Sequence, residues 1–171
     1  MIQTRFVSFS FHNWMWVGEH QKMATREGEA LSAFFIESID TIESCLVAIE
    51  QTIPAYREKI KDTLTTTVKQ LLENSYTDDM EKRILLETAL YMERCNITEE
   101  IVRLRSHAVN FKKVLGKKDD EMGKSLNFIL QEMHREVNTI SSKYNTTGTY
   151  MEVLRMKEEV EKCKEQVANV E

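Results

Sequence analysis

The chain has 171 residues, a formal net charge of -5, 42% hydrophobic and 30% charged residues, which gives it the length and apolar content for a domain with a core and excludes a disordered segment. Five glycines, one proline and the lack of any uncharged apolar run of about 18 residues exclude a membrane-spanning helix and lean towards an all-helical fold. Cys45, Cys95 and Cys163 stand far apart without CxxC or Cys/His pairing, so no disulfide framework or zinc site is indicated, and a reducing cytoplasm is the expected compartment.

Residues 1–22 form an atypical first segment. Phe6, Phe9, Phe11, Trp14 and Trp16 crowd it, and the alternation at Phe9 and Phe11 and at Trp14 and Trp16 leaves room for a short β segment. Residues 23–171 read as a helical domain. Leu31, Phe35, Ile39, Ile42, Leu46, Ile49 and Ile53 recur at steps of three and four, the stripe of a long amphipathic helix. Pro54 either kinks this helix or starts the next, and Tyr56, Ile60, Leu64, Val68 and Leu71 continue the stripe.

Asn74 to Thr77 is the expected turn, with Thr77 or Asp78 capping a helix that faces Ile84, Leu85, Thr88, Ala89 and Met92 inward. Asn96 precedes Glu99 by three residues, the spacing of a capping box. The helix it opens carries Ile97, Ile101, Leu104, Ala108, Phe111 and Leu115 as its core stripe and Glu100, Arg103, His107 and Asn110 as a polar ridge. Residues 116–123 are loop-like. The next helix, Leu126 to Lys143, buries Leu126, Ile129, Leu130, Met133, Val137 and Ile140 and lines up Glu132, Arg135, Glu136, Thr139 and Lys143 on another side. After the polar loop from Ser141 to Thr149, a last helix repeats Val153, Met156, Val160, Cys163, Val167 and Val170 as a heptad seam. The expected fold is therefore all-α, an elongated bundle of five to six helices.

No phosphate loop, dinucleotide fingerprint, HExxH or nucleophile elbow is present, so function rests on constellations. Glu132 and Glu136, one turn apart, suit a hard cation such as Mg2+ or Mn2+; they equally suit ion pairs with Arg135, Lys124 or Lys143. His107 and His134 can carry a proton or simply hydrogen-bond at the surface. Arg103, Arg105, Arg135 and Lys143 can hold phosphates or pair with Glu99, Glu100 and Glu136. Tyr144 is a candidate for stacking a base. Residues 94–143 hold ten Lys/Arg against seven Asp/Glu, a locally basic stretch in an acidic chain, whose overall charge argues against indiscriminate nucleic-acid binding.

Four segments carry a resemblance: Arg26 to Leu31 (REGEAL), Glu93 to His107 (ERCNITEEIVRLRSH), Gln131 to Lys143 (QEMHREVNTISSK) and the closing EKCKEQVANVE. Together they resemble the C-terminal region of the YicC/YloC family of bacterial endoribonucleases, in order from about Met23 to Glu171. Gln131, Glu132, Met133, Arg135, Glu136, Asn138, Thr139, Ser142 and Lys143 match the family pattern, while His134 stands for Asn and Ser141 for Gly. Upstream, Glu93 and Asn96 stand where the family has aspartates.

The resemblance implies divalent-metal-dependent cleavage of RNA by a cytoplasmic homo-oligomer. Glu132 and Glu136, with Glu100, would hold Mg2+ or Mn2+ or order the attacking water. His107 would carry the proton, and Arg103, Arg105, Arg135 and Lys143 would hold RNA phosphates. The family's N-terminal domain, with its Ser-Met-Thr-Gly-Phe-Gly-like start, has no counterpart in residues 1–22. A non-catalytic helical oligomerisation or RNA-binding module is the alternative expectation.

Overall fold

The structure, a computed structural model, describes residues 6–72, 77–117, 121–144 and 148–168, and side chains within these from residue 28 onward apart from Leu71, Leu72 and Asp78. The aromatic side chains of residues 6–16, most of the turn at residues 74–77, and parts of the two later loops lie outside the described residues. Five helices follow one another: α1 (Phe6–Leu72), α2 (Asp78–Arg94), α3 (Thr98–Leu115), α4 (Met122–Lys143) and α5 (Tyr150–Ala168). Among the described residues there is no strand.

One expectation changes. Residues 6–22, where alternation left room for a β segment, belong to α1; they contain no proline and a single glycine to interrupt a helix. Of the two outcomes expected at Pro54, the start of a new helix is ruled out, since this proline lies inside α1. Its missing donor removes one backbone bond without ending the helix.

The chain divides into two compact units, Met1–Glu37 and Ser38–Glu171. In the first, Phe34 and Phe35 meet edge to face at 5.7 Å. The second is built on α3, α4 and α5, with α4 packed between the other two, and the part of α1 from Ser38 onward completes its core. The stripes foreseen from periodicity are the ones buried: Ile39, Ile42, Leu46 and Ile49 of α1, Ile101, Leu104, Ala108 and Phe111 of α3, and Leu130, Met133, Val137 and Ile140 of α4 are each no more than 2% exposed. Each large side chain buried this way contributes about 2 kcal/mol.

The α5 seam closes within the chain, since Val153, Met156, Val160, Cys163 and Val167 are all buried. Burial pushes the Cys163 thiol up to about 11 against the lowering effect of a hydrogen bond with Ser38, so this cysteine is inert packing. Ion pairs fix the run of α1 along α3. Lys112 reaches Asp40 and Glu43, each at 2.7 Å, and Arg105 reaches Glu50 at 2.5 Å, so the two helices are antiparallel.

Helix α2 departs from the expected pattern. Of its foreseen inward residues only Thr88 is buried; Ile84 and Met92 are half-buried, and Leu85 and Ala89 are exposed. Its C-terminal end returns to α1, where Tyr91 hydrogen-bonds Tyr56 and burial, followed by that bond, pushes the Tyr56 hydroxyl up to about 12. The rest of its stripe has no comparable surface to cover it among the described residues.

Candidate functional site

The entry to α3 sets the site. The Asn96 side chain accepts hydrogen bonds from the Thr98 amide (3.1 Å) and the Thr98 hydroxyl (2.7 Å), so it caps the helix two residues on. Glu99, foreseen as the returning half of a capping box, turns instead to Arg103 at 2.8 Å. Glu100, in the same first turn, is 4% exposed.

Glu100, Arg103 and His107 then follow at intervals of three and four along the edge of α3 that faces α4. Helix α4 runs antiparallel to it and supplies the opposite edge. Lys143 donates to Glu100 Oε1 at 2.8 Å and lies 3.4 Å from the Asn96 carbonyl. One turn along, Arg103 Nη1 approaches Glu136 Oε1 at 3.7 Å. His107 stands four residues on from Arg103 in α3, and Glu132 four residues before Glu136 in α4.

Two layers therefore stack along the α3/α4 edge: a lysine hydrogen-bonded to a buried glutamate, and an arginine 3.7 Å from a second buried glutamate. Glu136, like Glu100, is buried, at 5% exposure. Burial on its own would raise the Glu100 carboxyl, but the Lys143 hydrogen bond, the Glu100 backbone amide and the charges of Lys143 and Arg103 outweigh it and hold it below the ordinary carboxylate range. Its Oε2 is buried with no hydrogen-bond partner among the described residues.

The structure thus brings together Glu100, Arg103, Glu136 and Lys143, with His107 and Glu132 one turn further along their own helices. It takes Arg105 elsewhere, to Glu50 on the α1 side of α3. Arg135 is exposed on α4 and Glu132 half-exposed, and neither has an ion pair among the described residues. His134 lies on the opposite edge of α4, 3.3 Å from Glu161 of α5 and beside Asn138.

Tyr144 is not a stacking platform. It is 2% exposed, its hydroxyl lies 3.2 Å from that of Thr52, and its ring meets Tyr56 edge to face at 4.8 Å. The exposed aromatic on this side is Phe128, 64% exposed and one turn before Glu132. Its place in the series Phe128, Glu132, Glu136 was open to reading, but a phenylalanine among core residues does not announce exposure. Among the described residues no three His, Cys, Asp or Glu side chains gather as a metal site.

A model of the protein family described as "Endoribonuclease YicC-like, C-terminal" matches residues 49–171, a stretch that contains every residue of the groove. A protein named "Probable endoribonuclease YicC" from Clostridioides difficile (strain 630) is 34% identical over 151 residues, 88% of this chain and 51% of that protein. One of the same name from Haemophilus influenzae is 28% identical over 149 residues, 87% of this chain and 50% of that protein. The chain spans about half the length of the curated relatives it matches.

Proposed function

Because the chain belongs to the YicC-like endoribonuclease family through that family's C-terminal part, we propose that it serves as the C-terminal half of an endoribonuclease, with the α3/α4 groove as its RNA-binding edge. The observation that carries this reading is the pairing of two cations with two buried carboxylates in one groove. Glu100 holds Lys143 through a 2.8 Å hydrogen bond and Glu136 attracts Arg103 from 3.7 Å, while the outer faces of Arg103 (55% exposed) and Lys143 (38% exposed) stay open to solvent. Arg103 holds Glu99 only through an exposed pair, which a phosphate displaces at little cost. Arg135 adds a third open cation. Arg105, committed to Glu50, has no part in it.

Glu132 and His107 are the groups in the groove that can move a proton to or from the reacting oxygens. A divalent cation is part of the proposal. The donor set fits Mg2+ or Mn2+ held by one or two carboxylates and the RNA phosphates, and among the described residues it does not fit a pocket of three protein ligands. Glu132, which has no ion pair among the described residues, is the first carboxylate for it, and Glu136 the second. When bound, such an ion stabilises charge on the phosphate. In the same reading the chain works as a homo-oligomer.

The test is a labelled single-stranded RNA incubated with the chain and Mn2+, beside an EDTA control. Cleavage lost in EDTA and in Glu132→Gln is the expected result; cleavage unchanged in Glu132→Gln removes Glu132 from the site. In a binding titration Arg103→Ala should weaken affinity about tenfold, and Arg105→Ala should leave it unchanged. The exposed outer faces of Lys143 and Arg103, which suffice for phosphate binding without a catalytic step, favour a second reading, an RNA-binding module without turnover. RNA binding with no cleavage under any metal condition selects it.

A further inference from the structure

Helix α4 buries Leu126, Ile129, Leu130 and Met133 and leaves Phe128 among them 64% exposed. One exposed apolar side chain is ordinary in itself. What sets Phe128 apart is its company. Lys124, Phe128, Glu132, Arg135 and Thr139 recur at steps of four, four, three and four, so the ring shares one stripe of the helix with two cations and with the carboxylate proposed for the metal. Lys124 stands one turn before it, about 6 Å along the axis, and Arg135 two turns after it, about 10 Å. Both are exposed, and neither makes an ion pair among the described residues.

The surroundings do not suit a protein contact. The centre of such a contact is apolar and depleted in charge, whereas the exposed residues around Phe128 on α4 are Lys124, Ser125, Gln131 and Arg135. Among the described residues no other ring meets it. A flat apolar ring between unpaired cations suits a single strand of nucleic acid. The cations follow the phosphates, and the ring offers a face to a base without any hydrogen-bonding group to read its edge. A base inside a duplex has both faces covered by its neighbours and presents neither to such a ring.

We infer that Phe128 is the base-stacking residue of the α3/α4 edge: an unpaired base lies on its ring, and the phosphates to either side meet Lys124 and Arg135. The inference rests on the reading of this edge as an RNA-binding surface and adds to it a choice of substrate, single-stranded over duplex RNA, with little preference among bases. Phe128 touches no reacting atom in this role. It is a binding residue, and it extends the edge beyond Glu132 towards the start of α4.

The test is fluorescence anisotropy of the full chain with a labelled single-stranded RNA and with a duplex of the same length, in EDTA so that the strands stay intact. Phe128→Ala and Phe128→Leu should each bind the single strand about tenfold more weakly than wild type. Phe128→Tyr should bind it as wild type does, and duplex affinity should be the same in all four proteins. Lys124→Ala should weaken single-strand binding and lower its salt dependence by about one phosphate contact, whereas Phe128→Leu should leave the salt dependence unchanged. Single-strand affinity in Phe128→Leu equal to wild type, or an equal loss on the duplex, overturns the inference. So does a fall in the particle mass of folded Phe128→Leu by light scattering, which makes the ring a contact between chains. Arg103→Ala separates the two readings: weakened binding there with unchanged binding in Phe128→Leu removes the stacking and keeps the edge, while a wild type that binds no RNA removes both.

Discussion

Lys143→Met isolates the pair at the head of the groove. Lys143 is 38% exposed and its partner Glu100 5% exposed, so the change strands a buried carboxylate, whereas removing Glu100 strands only a half-solvated ammonium. Uncompensated charge left by breaking a buried pair costs about 3 to 5 kcal/mol. The exposure of Lys143 and the residual attraction of Arg103 reduce this to about 2 kcal/mol. For a chain of this size that is a fall of about 6 °C in the melting temperature. Glu100→Gln keeps shape and hydrogen bonding and should cost less than about 1 kcal/mol. The double variant should recover most of the loss of Lys143→Met, because a neutral glutamine side chain has no charge to strand.

The loss is pH-dependent, with a defined sign. In the wild type the folded Glu100 carboxyl titrates below its ordinary range, so its pairing stabilises the fold above the unfolded carboxylate pKa and is lost as pH falls through the lowered folded value. In Lys143→Met the lysine contribution is gone and burial raises the titration. The gap between the two proteins is therefore widest near neutral pH and closes as pH falls through about 4 and below, where both carboxyls are protonated. Melting followed by circular dichroism at several pH values measures it. A gap that does not change with pH, or a Glu100→Gln loss as large as that of Lys143→Met, would refute the reasoning.

Two further outcomes are expected. Tyr144→Phe removes the hydroxyl that meets Thr52 and should cost about 1 kcal/mol in urea unfolding while leaving RNA affinity untouched; reduced affinity at equal stability would return Tyr144 to the binding surface. Pro54→Ala, at an exposed position inside α1, restores a backbone donor and should raise stability by about 1 to 3 kcal/mol, read as an upward shift in the melting temperature; no gain would mean that the local backbone is held by its packing alone.

What could be read from the sequence divides by range. A period of three and four placed Leu130, Met133, Ile101 and Leu104 in the core correctly, because burial of a helix stripe is a local property of its own residues. Residues 6–22 misled, because two aromatic pairs at alternate positions, Phe9 with Phe11 and Trp14 with Trp16, are short enough to sit within a helix as well. Polar ridges misled in another way. Glu100 and Glu136 had the spacing of surface residues, yet both are buried because the edges of α3 and α4 close on each other, and that register depends on residues 33 to 43 positions apart. Arg103 and Arg105 differ by two positions, and that difference sends one to α4 and the other to α1. Residue type alone offered both as phosphate ligands; only the packing distinguishes the committed cation from the open one.

The same distinction bears on how the groove can work. A cation tied to an exposed carboxylate is half-neutralised and mobile, and it gains little by exchanging one anion for another. A cation whose counter-charge is buried beneath it is held in position on one side and hydrated on the other, so an arriving phosphate displaces water without breaking the supporting pair. In the proposed reading Glu100 is the positioning residue for Lys143, and Glu136 contributes a weaker attraction to Arg103. Lys143 and Arg103 are paired with acceptors on the neighbouring helix, which ties their spacing to the α3/α4 packing. If these cations bind phosphate as proposed, stability and recognition are coupled at this edge: a change that lets the helices slide by one turn would break both pairs at once and alter the interval between the two cations, even with every side chain still present.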